Sequence, residues 1–266
     1  MKLLVAVCVV ITTLYACVYR QFNTTGAPVR FSDKSAHEAH ISHVYVLSSG
    51  QDSPEARRRK AAFQKYLEGV SYTEVHPDVH HLQNCSNPRI TRRHQQCTAG
   101  HMTILDRIIA NTSSPPESFS VIFEDDMCPS QLVGTGAPMI QNVAKALARA
   151  SKGVAAVNLG ACNGKGTVER ARAKFISADC HVLSGFGPCT QAWATTRAQA
   201  PTLLYILKKN ICHGFVDLIL SSNATERRYE HIACKDTFPA NGAEASPDCN
   251  GRLFHQCYSS SIINPE

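Results

Sequence analysis

Residues Val121-Ile122-Phe123-Glu124-Asp125-Asp126 set three apolar side chains directly against three carboxylates. An apolar run bounded by charge in this way reads as a buried strand that stops at a polar edge. Like charges packed this closely repel, and one carboxyl pKa rises unless a cation neutralises the site. Hard divalent ions such as magnesium or manganese do so through oxygen ligands, while keeping waters and substrate phosphates in their shell. In open α/β sheets, ligands bind at the carboxyl ends of the strands. The stretch therefore has two readings, a metal site at a strand end or a solvated acidic turn.

Working outward, short apolar runs at 44–47, 71–75, 154–159 and 191–195 are further strand candidates. Helices are expected between them. One starts at Asp52 or Ser53 with Pro54 and Glu55 in its first turn and stops near Gly69. Others cover 98–110, the segment opened by Pro138, and 197–209. Residues 76–96 are polar and rich in His and Arg, and read as loop; 160–166 is a glycine-bearing loop after a strand. Alternating strands and helices imply an α/β fold with a Rossmann-like, mostly parallel sheet flanked by helices. Asp217 is an isolated acid inside the apolar run 215–218.

The chain has 266 residues, of which 44% are hydrophobic and 18% charged, enough for one large α/β domain. Its formal charge of +6 is spread along the chain. That suits anionic small ligands and excludes the dense Lys/Arg blocks of a nucleic-acid binder. Residues 3–19 form an apolar run between Lys2 and Arg20, the pattern of a signal anchor or a cleaved signal peptide. The expected organisation is an anchor at 1–20, a stem at 21–42, a catalytic domain at 43–222 and a cysteine-containing extension at 223–266 packed on it. Two of the 12 cysteines, Cys8 and Cys17, fall in the anchor, and the ten that remain suit five disulfides in an oxidising lumen. The lack of any Cys-x-x-Cys pair speaks against zinc. Sequons at Asn23, Asn84, Asn111 and Asn223 agree with luminal exposure. The expected location is the Golgi or endoplasmic reticulum, as a type II membrane protein, or outside the cell if the N-terminal segment is removed.

Four pieces in order resemble glycosyltransferase family 25, the lipooligosaccharide and procollagen galactosyltransferase group. They are the strand 44–47 followed by Ser53-Pro54-Glu55 and Arg57-Arg58-Arg59, and then Cys97-Thr98-Ala99-Gly100-His101 opening an apolar helix. The third is Val121 to Asp126; the last is Gln191-Ala192-Trp193-Ala194-Thr195 with a helix and then Val216-Asp217. Gly100 stands where the family has serine, and Ser48-Ser49 where it usually has Asn-Leu.

The resemblance implies a GT-A type fold, a nucleotide-sugar donor, most simply a UDP-sugar, and a glycan or protein hydroxyl as acceptor. It implies manganese held by Asp126, with Asp125 as a second ligand or a holder of the nucleotide ribose, and Glu124 in support. Val46, Leu47 and Ser48 at the first strand's end, with Arg57, Arg58 and His101, would meet the donor. Arg57 and Arg58 have a plain alternative as solvated helix charges, and His101 as a structural hydrogen-bonding residue. Asp217 would deprotonate the acceptor in an inverting transfer, or else serve as a helix N-terminal acid. A non-catalytic luminal sugar-binding protein of the same fold and a metal-dependent phosphodiester hydrolase use the same residues.

Overall fold

Both faces of the first strand are apolar, so it has to be covered on both sides. A computed structural model describes residues 38–50, 52–160, 169–175, 178–186, 189–222, 229–234 and 254–256. These belong to one compact unit, Ser35–Glu266. The expected anchor, most of the stem, the loop after Gly160, the Asn23 and Asn223 sequons and most of the C-terminal extension lie outside the described residues.

In chain order the strands are β1 (Ile41–Leu47), β2 (Thr73–Val75), β3 (Phe119–Glu124), β4 (Met127–Pro129), β5 (Ala156–Asn158), β6 (Glu169–Phe175), β7 (Ala178–Ser184), β8 (Ala192–Thr196), β9 (Tyr229–Cys234) and β10 (Phe254–Gln256). The helices are α1 (Pro54–Tyr66), α2 (Arg92–Ala110), α3 (Gly136–Leu147), α4 (Ala200–Asn210) and α5 (Val216–Ser222). Eight strands form one sheet in the order β2-β1-β3-β8-β5-β9-β7-β6, and β4 pairs with β10. Six strands of the large sheet share a direction, and β8 and β7 run against it. The protein is thus an α/β fold with a mostly parallel, mixed sheet flanked by helices.

Side chains alternate across this sheet with a period of two. Val44, Val46, Val121, Phe123, Ala192 and Ala194 face a layer that contains Phe63 of α1 and Met139 and Val143 of α3. Tyr45, Leu47, Ile122 and Trp193 face the other layer, with Met102 and Leu105 of α2, Leu203 of α4 and Ile219 of α5. The expected helix at Ser53 starts there, and its hydroxyl accepts the Ala56 N–H at 3.1 Å. By contrast, α2 starts six residues earlier than the apolar spacing suggests. Thr91 caps it in a reciprocal arrangement in which the His94 ring takes the place usually held by Glu or Gln.

Two further expectations change. Tyr229–Cys234, expected in the cysteine-containing extension outside the catalytic domain, is a strand inside the sheet, between β5 and β7. The ten cysteines beyond the anchor do not form five pairs either. Cys85 is bonded to Cys212, and Cys128 and Cys189 are disulfide-bonded, but Cys97 is a free thiol.

Gly100 fixes how closely α2 lies on β1. A Cβ added there would stand 2.3 Å from Leu47 Cδ1, so the serine of the resembling family has no room unless Leu47 turns away. Gly100→Val should therefore strain the contact and destabilise the fold by about 1–3 kcal/mol. Urea unfolding of the variant checks this, and an unchanged midpoint would mean that the contact is not tight.

Candidate functional site

The chain passes from β1 through α1 to β2 on one side, then through α2 to β3 on the other side of β1. This reversal opens a crevice beyond the carboxyl ends of β1 and β3, the position where open α/β sheets bind ligands. The two strands end level, with Leu47 opposite Glu124. Backbone hydrogen bonds carry the pairing one step further: Asp125 N–H donates to Leu47 O at 3.0 Å, and Glu124 N–H to Gln191 O at 3.0 Å. The acidic turn is thereby pinned from both neighbours. It forms part of the wall of a cleft of about 440 Å³, which Leu47, Ser48, Arg59, Arg93 and Cys97 also line.

Each acid has a different environment. Asp125 is buried and faces Arg59, also buried, across 3.4 Å. It accepts hydrogen bonds from the Ser49 backbone and the Ser48 hydroxyl as well. Burial still dominates and raises its carboxyl pKa, against the lowering by Arg59. Arg59 occupies the inward stripe of α1, at helical spacing with Ala56, Phe63 and Tyr66. Arg57 and Arg58 do not: they pair with Asp52 and Glu55 on the solvent side, away from the acids.

Glu124 is held from within. Thr190 Oγ1 donates to its Oε1 at 2.5 Å, and His101 Nε2 lies 3.1 Å from the same oxygen. On the far side of the ring, Trp193 Nε1 donates to His101 Nδ1 at 3.3 Å. An indole N–H can only donate, so Nδ1 is an acceptor and the ring proton sits on Nε2, from which it donates to Glu124. Burial pushes the Glu124 carboxyl up, but the bonds from His101 and Thr190 outweigh it and the net shift is downward.

Cys97, His101 and Glu124 also form one possible metal-binding group, with a ligand atom from each lying within 4.8 Å of the others. In the present hydrogen-bonding arrangement both His101 nitrogens are engaged. Ligation there would have to displace either the bond to Glu124 or the bond from Trp193. The mixed sulfur, nitrogen and oxygen set differs from the all-oxygen shell that manganese or magnesium favours.

Asp126 is buried and lines the cleft. Asp217 sits in the first turn of α5, where Oδ2 accepts the Cys189 N–H at 3.1 Å and Oδ1 the Leu218 N–H at 2.8 Å. Burial first, and then Glu124, Asp126, Asp217 and Asp125, push the Cys97 thiol well above the ordinary range.

Of the residues expected at the site, Leu47, Ser48, Glu124, Asp125 and Asp126 meet in the cleft. Val46 does not reach it, being buried in the core beneath α1 and α3, and His101 stands behind Glu124. Sequence reasoning missed Arg59, Arg93, Cys97 and Thr190. Only Arg59 had a visible signal, a charge on the apolar stripe of a helix. No protein-family model matches the chain, and no curated protein does. Among the described residues no helix is long and apolar enough to cross a membrane.

Because the folded Glu124 carboxyl lies below its ordinary value of 4.5, its contribution to stability is present above that value and fades as pH falls through the lowered one. Asp125, being raised, works in the opposite sense. Glu124→Gln should cost about 1–3 kcal/mol at neutral pH, and the gap to wild type should close on acidification. Urea unfolding across the acid range reads this; a gap independent of pH would contradict the assignment. The Cys97 thiol should alkylate with iodoacetamide more slowly than an ordinary cysteine at about pH 8. Asp126→Asn should speed the reaction by removing a neighbouring negative charge.

Proposed function

We propose that this protein is a divalent-metal-dependent glycosyltransferase of GT-A type that moves a galactose-like sugar from a UDP-sugar to a hydroxyl of a glycan or protein. The observation that carries the reading is the Glu124-Asp125-Asp126 turn at the end of β3. It lines a cleft at the point where the sheet reverses its order, level with Ser48 at the end of β1. The resemblance to glycosyltransferase family 25 runs through the same residues. In the wider chain, the Cys85–Cys212 bridge suits the oxidising lumen that the apolar N-terminal run suggests.

The residues fit a hard cation. Asp125 and Asp126 bring neighbouring carboxylates to the cleft wall, and Arg59 balances part of their charge, so few protein ligands would be needed beside water and substrate phosphates. Asp126, with Asp125, would hold the ion, which when bound supplies Lewis-acid stabilisation of the departing diphosphate. The other residues have supporting work. Arg59, Ser48 and Ser49 orient Asp125, while His101 and Thr190 hold Glu124 and keep the end of β3 in place. Asp217 would act as base toward the acceptor hydroxyl only by turning from the Cys189 and Leu218 N–H groups toward the cleft. As it stands, it ties α5 to the loop that carries Thr190.

A panel of nucleotide sugars with manganese tests the proposal. Sugar transfer, or donor hydrolysis without acceptor, is expected from the wild type, and Asp126→Ala should lower it by about 10²-fold or more. Retained activity in that variant with EDTA present would rule out the metal-dependent mechanism. Cleavage of a simple phosphodiester with no release of sugar would instead assign the cleft to a hydrolase.

A further inference from the structure

This inference rests on the reading of the cleft as a donor site and concerns which side chain meets the donor's negative charge. Arg57 and Arg58, the arginines that the sequence brings forward, are ion-paired with Asp52 and Glu55 on the outside of α1. The cleft itself contains two others. Arg59 is committed to Asp125. Arg93 lines the same cleft, is half-buried, and its side chain makes no hydrogen bond or ion pair among the described residues.

Its position is unfavourable for a residue that serves the fold alone. Arg93 is the second residue of α2, a helix of 19 residues, where the partial positive charge of the N-terminus opposes a cation. Arg92 beside it adds more of the same sign, and the first turn has no acid to compensate. Glu124, Asp125 and Asp126 line the same cleft, yet none of them pairs with it. Among the described residues, the cleft therefore carries both these acids and a guanidinium that none of them pairs with.

We infer that Arg93 binds the diphosphate of the ligand in this cleft, the role that Arg57 and Arg58 were expected to fill. A guanidinium presents paired N–H donors that match phosphate oxygens. The ligand class is an organic diphosphate whose other oxygens are directed toward the acids and their cation.

Calorimetric titration of the full chain separates this assignment from the reading on which it rests. Inorganic pyrophosphate without metal asks about Arg93 alone, and UDP with manganese asks about the donor site. Arg93→Met should weaken both by about 10-fold or more, and Arg93→Lys should recover part of the loss. The Arg57→Ala, Arg58→Ala double variant should stay near wild type. The melting temperature of Arg93→Met should hold or rise, since a cation opposed to the helix dipole is removed. Unchanged pyrophosphate and UDP affinity in Arg93→Met would overturn the Arg93 assignment and leave the donor reading standing. Arg93-dependent binding of pyrophosphate without binding of UDP would end the donor reading and leave Arg93 as an anion site. A wild type that binds neither would overturn both.

Discussion

Three carboxylates in succession at a buried strand end repel one another, and that repulsion is the constraint around which the site is built. The structure does not relieve it with one shared counter-charge. Glu124 is stabilised by neutral donors, the His101 imidazole and the Thr190 hydroxyl, whereas Asp125 is set against a guanidinium, so two kinds of donor from different elements meet one turn. Neutral donors are the safer choice beneath the sheet edge, since a second buried charge would carry its own desolvation cost. Because Trp193 fixes the ring tautomer from β8, the proton facing Glu124 depends on a residue two strands from β1. Helix α2, carrying Arg93, Cys97, Gly100 and His101, is thus as much a part of the site as the strand that displays the acids.

How much of this was legible depended on whether burial and polarity agreed. The centre of the sheet could be read because β1, β3 and β8 are apolar on both faces and lie under helices on both sides. Strand β9 could not. Its Glu230 and His231 are almost fully buried, with Glu230 accepting the Ser151 N–H at 2.8 Å and His231 Nδ1 donating to the Gly185 carbonyl at 3.1 Å. Buried polar groups of this kind erase the alternation by which a strand is recognised. The first residues of α2 were hidden for a related reason, since a histidine in the capping role has no place in the usual pattern.

The site shows the same division. The acids were evident because they follow an apolar run without a break, whereas their partners come from elements far away in sequence. Spacing within α1 marks Arg59 as inward-facing, but only the crossover from α1 to β2 and back brings it to Asp125. Arg93 and Thr190 carry no local mark: Arg93 reaches the cleft through the crossover of α2 between β2 and β3, and Thr190 reaches Glu124 through the antiparallel pairing of β8 with β3.

The short strand β2 has a consequence at the level of self-association. It forms the outer edge of the sheet beside β1 and contributes only three residues, Thr73 to Val75. Glu74 in its middle is tied to Lys60 of α1 at 2.7 Å, so charge borders the exposed ladder. Brief, charged edges give a second chain little backbone on which to add a strand. On this side, then, the sheet is guarded against end-to-end growth into filaments, even though its interior strands are among the most apolar stretches of the described chain.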